Sequence, residues 1–180
     1  MIISLEEAQK INPNISKDEL LAYETHVREL TNNKFHHEHI KNHNLVFDTN
    51  TIICSTEFIG YKVGDTIEVI GSKYNDGLYV VEEVTTYTLT VNTEMIQSID
   101  NNAMMIKIDY PFDIRNGVKE LITYKTKMAS KIGIKSESVA RMSVTYFDAT
   151  AKENTEGVPS GLYSFLNKYK KIKWWYHARI

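Results

Sequence analysis

The sequence predicts an α+β protein, a small helical bundle interrupted by an inserted antiparallel β barrel or sandwich module. Three observations carry this expectation. Within residues 61–92, Tyr87, Leu89 and Val91 alternate with Thr86, Thr88, Thr90 and Asn92, and Val63, Ile67 and Val69 sit among polar neighbours. A period of two places one apolar row on one face of a sheet. Gly64-Asp65 and Asn75-Asp76-Gly77 supply turn chemistry between the runs. The flanking segments, residues 16–33 and 113–131, step their apolar residues by three and four instead, as helices do. The predicted domains are a discontinuous helical domain, residues 1–43 and 111–180, and an inserted small β domain, residues 44–110.

Taken in order, Ser4 and Glu7 have capping-box spacing and open a short turn over 5–10, which Pro13 ends. Ser16 with Glu19 repeats the device. The helix that follows places Leu20, Tyr23, Val27 and Leu30 on one face and exits at Asn32-Asn33. Asp18 and Glu19 suit the positive end of its dipole. Residues 35–44 are polar and His-rich and read as a solvated linker. Strands are predicted at 45–48, 51–55, 66–71, 78–84, 86–92 and 104–110, with a helical turn within 93–103 as a cover for a small barrel.

Pro111 cannot continue a central strand, and Asp113 is the predicted N-cap of the next helix. Ile114, Val118, Leu121 and Ile122 form its apolar face, and Lys125, Lys127 and Lys131 load its C-terminal end up to Gly133. Gly117 within that helix costs about 1 kcal/mol relative to Ala, which points to close packing at that position. Residues 134–146 read as an extended or hairpin segment and 147–157 as a mobile loop. Leu162, Phe165, Leu166 and Tyr169 make one face of a last helix.

The chain has 180 residues, 42% hydrophobic and 24% charged, the composition of an ordinary globular protein. A formal charge of −2 offers no global attraction to nucleic acid or acidic membranes. The single Cys54 excludes an intrachain disulfide, and its apolar setting, Thr51-Ile-Ile-Cys-Ser55, predicts a buried thiol. No apolar run reaches the ~18–20 residues of a spanning helix. The N-terminus lacks the basic start and long apolar core of a secretory signal, so a reducing cytoplasm is the expected place of synthesis.

Candidate chemistry is sparse. His36, His37, His39 and His43, with Glu38, form the one cluster of metal-ligand residue types. The zinc-protease spacing His-Glu-x-x-His is not matched, because Glu38 directly precedes His39. There is no glycine-rich phosphate loop, no Gly-x-Ser-x-Gly elbow and no acid pair in a glycosidase context. The expectation is a non-enzyme with no cofactor and no bound metal. The C-terminal Lys168, Lys170, Lys171 and Lys173, with Tyr169, Trp174, Trp175 and Tyr176, allow three readings: a partner contact, packing on the chain's own domain, or nucleic-acid binding.

Leu5-Glu-Glu-Ala-Gln, Ser16-Lys-Asp-Glu-Leu-Leu, Ile134-Lys-Ser-Glu-Ser-Val, Ser143-Val-Thr-Tyr146 and Leu166-Asn-Lys-Tyr-Lys-Lys-Ile-Lys-Trp174 follow one another in an informative order. In that order they resemble segments of tailed-bacteriophage head–tail connector (adaptor, head-completion) proteins. The likeness covers roughly 1–33 and 113–176. Residues 45–110 depart from the compact all-helical members and look like the small β domains that phage structural proteins carry inserted. The resemblance implies a structural virion protein that binds below the portal as a ring, extends the DNA channel and joins head to tail. Implied partners are the portal protein, neighbouring copies in a ring (dodecameric, to match the portal), a tail-side completion protein and the packaged DNA in the channel, with no membrane. The implied location is the virion head–tail junction, after synthesis in the host cytoplasm. Leu162, Phe165, Tyr169, Lys170, Lys171, Lys173, Trp174 and Trp175 are the expected portal-docking residues. The rivals are a nucleic-acid-binding β-barrel module and, more remotely, a metal-dependent enzyme built on His36–His43.

Overall fold

The computed structural model describes residues 1–129, 136–139, 142–145, 154–155 and 158–172. The described elements are helices α1 (Leu5–Gln9), α2 (Lys17–Thr31) and α3 (Phe112–Met128) and strands β1 (His36–Asp48), β2 (Thr51–Cys54), β3 (Thr66–Ile70), β4 (Gly77–Val84), β5 (Thr88–Val91) and β6 (Ser98–Ile108). Two short antiparallel pairs follow, β7 (Ser136–Val139) with β8 (Met142–Thr145) and β9 (Asn154–Thr155) with β10 (Val158–Pro159), and then a 3-10 helix, Ser160–Tyr169. Two compact units result. One is Lys34–Tyr110 with Met1; the other is Ile2–Asn33 with Pro111–Ile180.

The first unit is a closed six-stranded antiparallel barrel in the order β1-β2-β5-β4-β3-β6. Closure comes from β6, which pairs with β3 through Ile67↔Lys107 to Ile70↔Met104 and with β1 through His36↔Ile108 to Phe47↔Ser98. The interior is filled by the inward half of each alternation: Leu45, Phe47, Ile52, Ile67, Val69, Leu89, Val91 and Met105 are all fully buried. A barrel of so few strands has room for packed side chains and none for a ligand channel. Phe58 and Tyr61 join this core, their rings edge-to-face at 5.8 Å. Cys54 is buried as expected, its Sγ donating to the His43 carbonyl at 3.2 Å.

Two irregularities shape β1. Its register against β6 shifts between His36 and Lys41 and again between His43 and Leu45. Asn44, with φ of 57°, takes up the second shift in a left-handed conformation that Asn tolerates better than most residues. The start of β1 is tied to β3 by Glu68, whose side chain is 7% exposed. Its carboxylate accepts from Lys34 Nζ at 2.5 Å and meets His36 Nε2 at 2.6 Å. A carboxylate this deeply buried needs charge-assisted partners, since an unpaired one costs several kcal/mol, on the order of 3–5. The Met1 ammonium adds bonds to the Gly64 carbonyl and the Thr66 hydroxyl.

In the second unit α2 opens with the expected capping box. The Ser16 hydroxyl accepts from Glu19 N at 3.1 Å, and Glu19 Oε2 accepts from Ser16 N at 3.0 Å. Asn32 closes the helix in the left-handed region. Leu20 and Val27 are buried; on α3 so are Ile114, Val118, Leu121 and Ile122.

The expected fold class is corrected. The chain is mostly a closed six-stranded antiparallel β-barrel with a few short helices, rather than a small helical bundle interrupted by a barrel or sandwich insert. Three local misreadings contributed. The His-rich stretch is the first half of β1, where bulges and outward polar side chains blur the period-two signal. The helical turn expected within 93–103 is replaced by β6, whose first residues, Ser98 to Asn102, are polar apart from the exposed Ile99. The last predicted helix is a 3-10 helix. In addition α3 is preceded by Pro111 at the N-cap, and Asp113 lies inside its first turn. The stop at Gly133 and most of the 147–157 loop lie outside the described residues.

Residues 34–110 expressed alone are expected to give a cooperatively melting β spectrum by circular dichroism. The same fragment begun at residue 44 loses the first half of β1 and the Lys34 and His36 partners of Glu68, and should not fold.

Candidate functional site

The segment expected to dock is held by its own unit as far as residue 172. The 3-10 helix buries Tyr163 and Leu166, with Leu162 and Phe165 half-buried. The Phe165 ring lies directly on Gly117 of α3: a Cβ built there would stand 2.4 Å from Phe165 Cδ1. This is the close packing that a glycine in mid-helix pointed to. Tyr163 meets the His26 ring edge-on at 5.7 Å.

Tyr169 donates its hydroxyl to Asp113 Oδ1 at 2.6 Å, and Lys168 Nζ lies 2.5 Å from Asp113 Oδ2. These two bonds, Lys168 first, hold the Asp113 carboxyl below the usual carboxylate range, and Lys168 is raised in return. The chain then runs out along the end of α2. Asn33 Nδ2 donates to the Tyr169 carbonyl at 3.3 Å, Lys171 N to the Thr31 carbonyl at 2.7 Å, and Asn32 Nδ2 to the Ile172 carbonyl at 3.2 Å. Lys170 and Lys171 are exposed, and Ile172 is 78% exposed. Lys173, Trp174 and Trp175 lie outside the described residues.

The eight expected residues therefore divide. Phe165 and Tyr169 seat the segment on α3, Leu162 is half-buried, and Lys170 and Lys171 are exposed. Sequence reasoning missed the anchors Asp113, Asn32 and Asn33. In sequence Asp113 and Asn32-Asn33 read as helix ends, and nothing in their local pattern reveals a partner more than fifty residues away along the chain.

The His-rich stretch does not converge. His36 pairs with Glu68, His37 Nδ1 accepts from the backbone N of His39 and Ile40, and His39 and His43 are exposed on β1. Among the described residues no group of three or more His, Cys, Asp and Glu is placed to hold a metal ion. No helix of the described residues is long and apolar enough to cross a membrane.

Charge is divided between the units. Residues 34–110 carry five lysines and no arginine against eleven Asp and Glu, a formal −6. The second unit, residues 2–33 with 111–180, carries sixteen Lys and Arg against twelve Asp and Glu, a formal +4. The near-neutral total conceals this asymmetry. No family model matches the chain, and no curated protein matches it.

Gly117→Ala tests the Phe165 contact. Ala ordinarily favours a helix interior by about 1 kcal/mol, but here Phe165 must shift, and a net loss of about 1–3 kcal/mol is expected in denaturant melts. In a Phe165→Ala background the same change should be neutral or stabilising.

The Asp113 contacts set a pH window. A depressed carboxyl contributes stability that is complete above about pH 4 and is lost as pH falls through its lowered value. A raised ammonium contributes below its ordinary value and is lost as pH rises through the raised one. The protection of the Tyr169 and Lys170 amides, measured relative to intrinsic exchange at each pH, should therefore fall toward both extremes, and Asp113→Asn should flatten that dependence.

Proposed function

We propose that this protein is a structural adaptor of the head–tail connector kind, docking on a portal ring through the residues that follow its 3-10 helix. The supporting observation is the fixed exit of the chain. Hydrogen bonds from Asn32, Asn33 and Lys171 hold the backbone of 169–172 against the end of α2 while Lys170, Lys171 and Ile172 face outward. A peptide whose first residues are already ordered loses less entropy on binding. Its basic and apolar side chains suit a rim of charge around an apolar anchor, with Lys173, Trp174 and Trp175 following in sequence.

The reading includes neighbouring copies in a ring, a tail-side partner and DNA in the channel. A filled barrel interior is compatible with a scaffold role. The rival reading, a barrel that binds nucleic acid, is disfavoured by its formal −6, since phosphate contact requires local positive charge.

Deletion of residues 174–180 should leave the melting profile unchanged and weaken binding to purified portal by roughly thirtyfold, the effect of losing about 2 kcal/mol with an aromatic anchor. Lys170→Glu with Lys171→Glu should slow association and reduce its salt dependence. Unchanged portal affinity for the truncated chain would return this segment to self-packing alone.

A further inference from the structure

One part of the barrel exterior is apolar. Ile99 of β6 pairs with Val46 of β1, and Val46 pairs with Ile53 of β2. Their chain neighbours Leu45, Phe47, Ile52 and Cys54 point inward, so the three form one outward row across adjacent strands. Ile99 is 75% exposed, and Val46 and Ile53 are half-buried. The row floors an open groove that also takes in Asp48 and Gln97. Asp48 is exposed on the same face of β1 as Val46, and its Oδ1 accepts from Gln97 Nε2 at 2.6 Å. The groove is thus apolar along its floor and anionic at one end.

The second unit carries an exposed aromatic ring with a cation beside it. Phe112, in the first turn of α3, is 81% exposed. The Arg115 guanidinium stands 5.8 Å from its ring centroid, one helical turn further on. An aromatic side chain beside an arginine is the composition in which interface energy concentrates.

We propose that these patches are the two halves of one contact between copies of this chain. Phe112 of one copy seats on the Ile99–Val46–Ile53 row of the next, and Arg115 faces that copy's Asp48. The occupant is chosen by charge. The row lies on a unit of formal −6 and the knob on a unit of formal +4. Two rows meeting face to face would bring two acidic barrels together with no cation supplied between them. Because knob and row are different surfaces, the contact is heterologous and propagates from copy to copy, closing as a ring when the rotation allows. It stands apart from portal docking, and its test needs no portal.

Sedimentation velocity of the full chain over a concentration series at low salt reads the contact. The unaltered protein should associate with rising concentration. Phe112→Glu removes the knob and Ile99→Glu spoils the row, and each variant alone should remain monomeric. Mixed together, they should form a one-to-one dimer and nothing larger, because each retains the half that the other lacks. Should either variant unfold by circular dichroism, the charge pair carries the test. Arg115→Asp or Asp48→Arg alone should weaken association about tenfold, and both in one chain should restore it. An unaltered chain that stays monomeric throughout overturns the proposal. So does association of the single variants like the parent, or a mixture that stays monomeric. A chain lacking residues 174–180 should associate as the parent does, which separates this contact from portal docking.

Discussion

The pairing of β6 with both β1 and β3 is the constraint on which the barrel depends. An open sheet of six strands would leave two rows of backbone donors and acceptors unpaired. Closure removes both edges, and it holds the inward alternation of all six strands on one enclosed axis. The cost is that β1 and β6 must be long and must bend. The bulges in β1, with Asn44 in a left-handed conformation, accommodate that bend. The Glu68 contacts to Lys34 and His36 then secure the end of β1 farthest from its hairpin with β2.

In the second unit the comparable contact is Phe165 on Gly117. A side chain at 117 would hold the 3-10 helix away from α3. With glycine there the ring reaches the helix backbone, and the Asp113 contacts to Lys168 and Tyr169 follow a short distance along the same helix. Those contacts and the asparagines at the end of α2 decide where the chain emerges and which side chains it shows. The exposed side chains of residues 170–172 are thereby held in place by packing and hydrogen bonds within the unit.

The division of charge has a physical consequence for both proposed contacts. An acidic barrel and a basic second unit favour associations that place unlike units of neighbouring copies together, and disfavour those that place like units together. The same sign rule bears on DNA: the barrel repels phosphate, whereas residues 111–180 attract it. The overall charge of −2 conveys none of this division.

What the sequence determined by itself was local. The capping box of Ser16 and Glu19, the helix exit at Asn32-Asn33, the alternation of Leu89 and Val91 with threonines, the buried Cys54 and the oddity of Gly117 all depend on neighbours within a few residues, and all were legible. The balance between barrel and bundle was decided by tertiary structure. The stretch from His36 to Asn44 becomes a strand because β6 offers it backbone partners some sixty residues away, and its polar, bulged pattern has no strong preference of its own. Likewise Asp113 looks like a helix cap until Lys168 and Tyr169 arrive beside it. The Ile99–Val46–Ile53 row exists only because three strands lie in register, so no window of sequence could contain it. Periodicity reports which face of an element is apolar; which faces become neighbours is fixed by pairing at long range, where the chain carries no local signal.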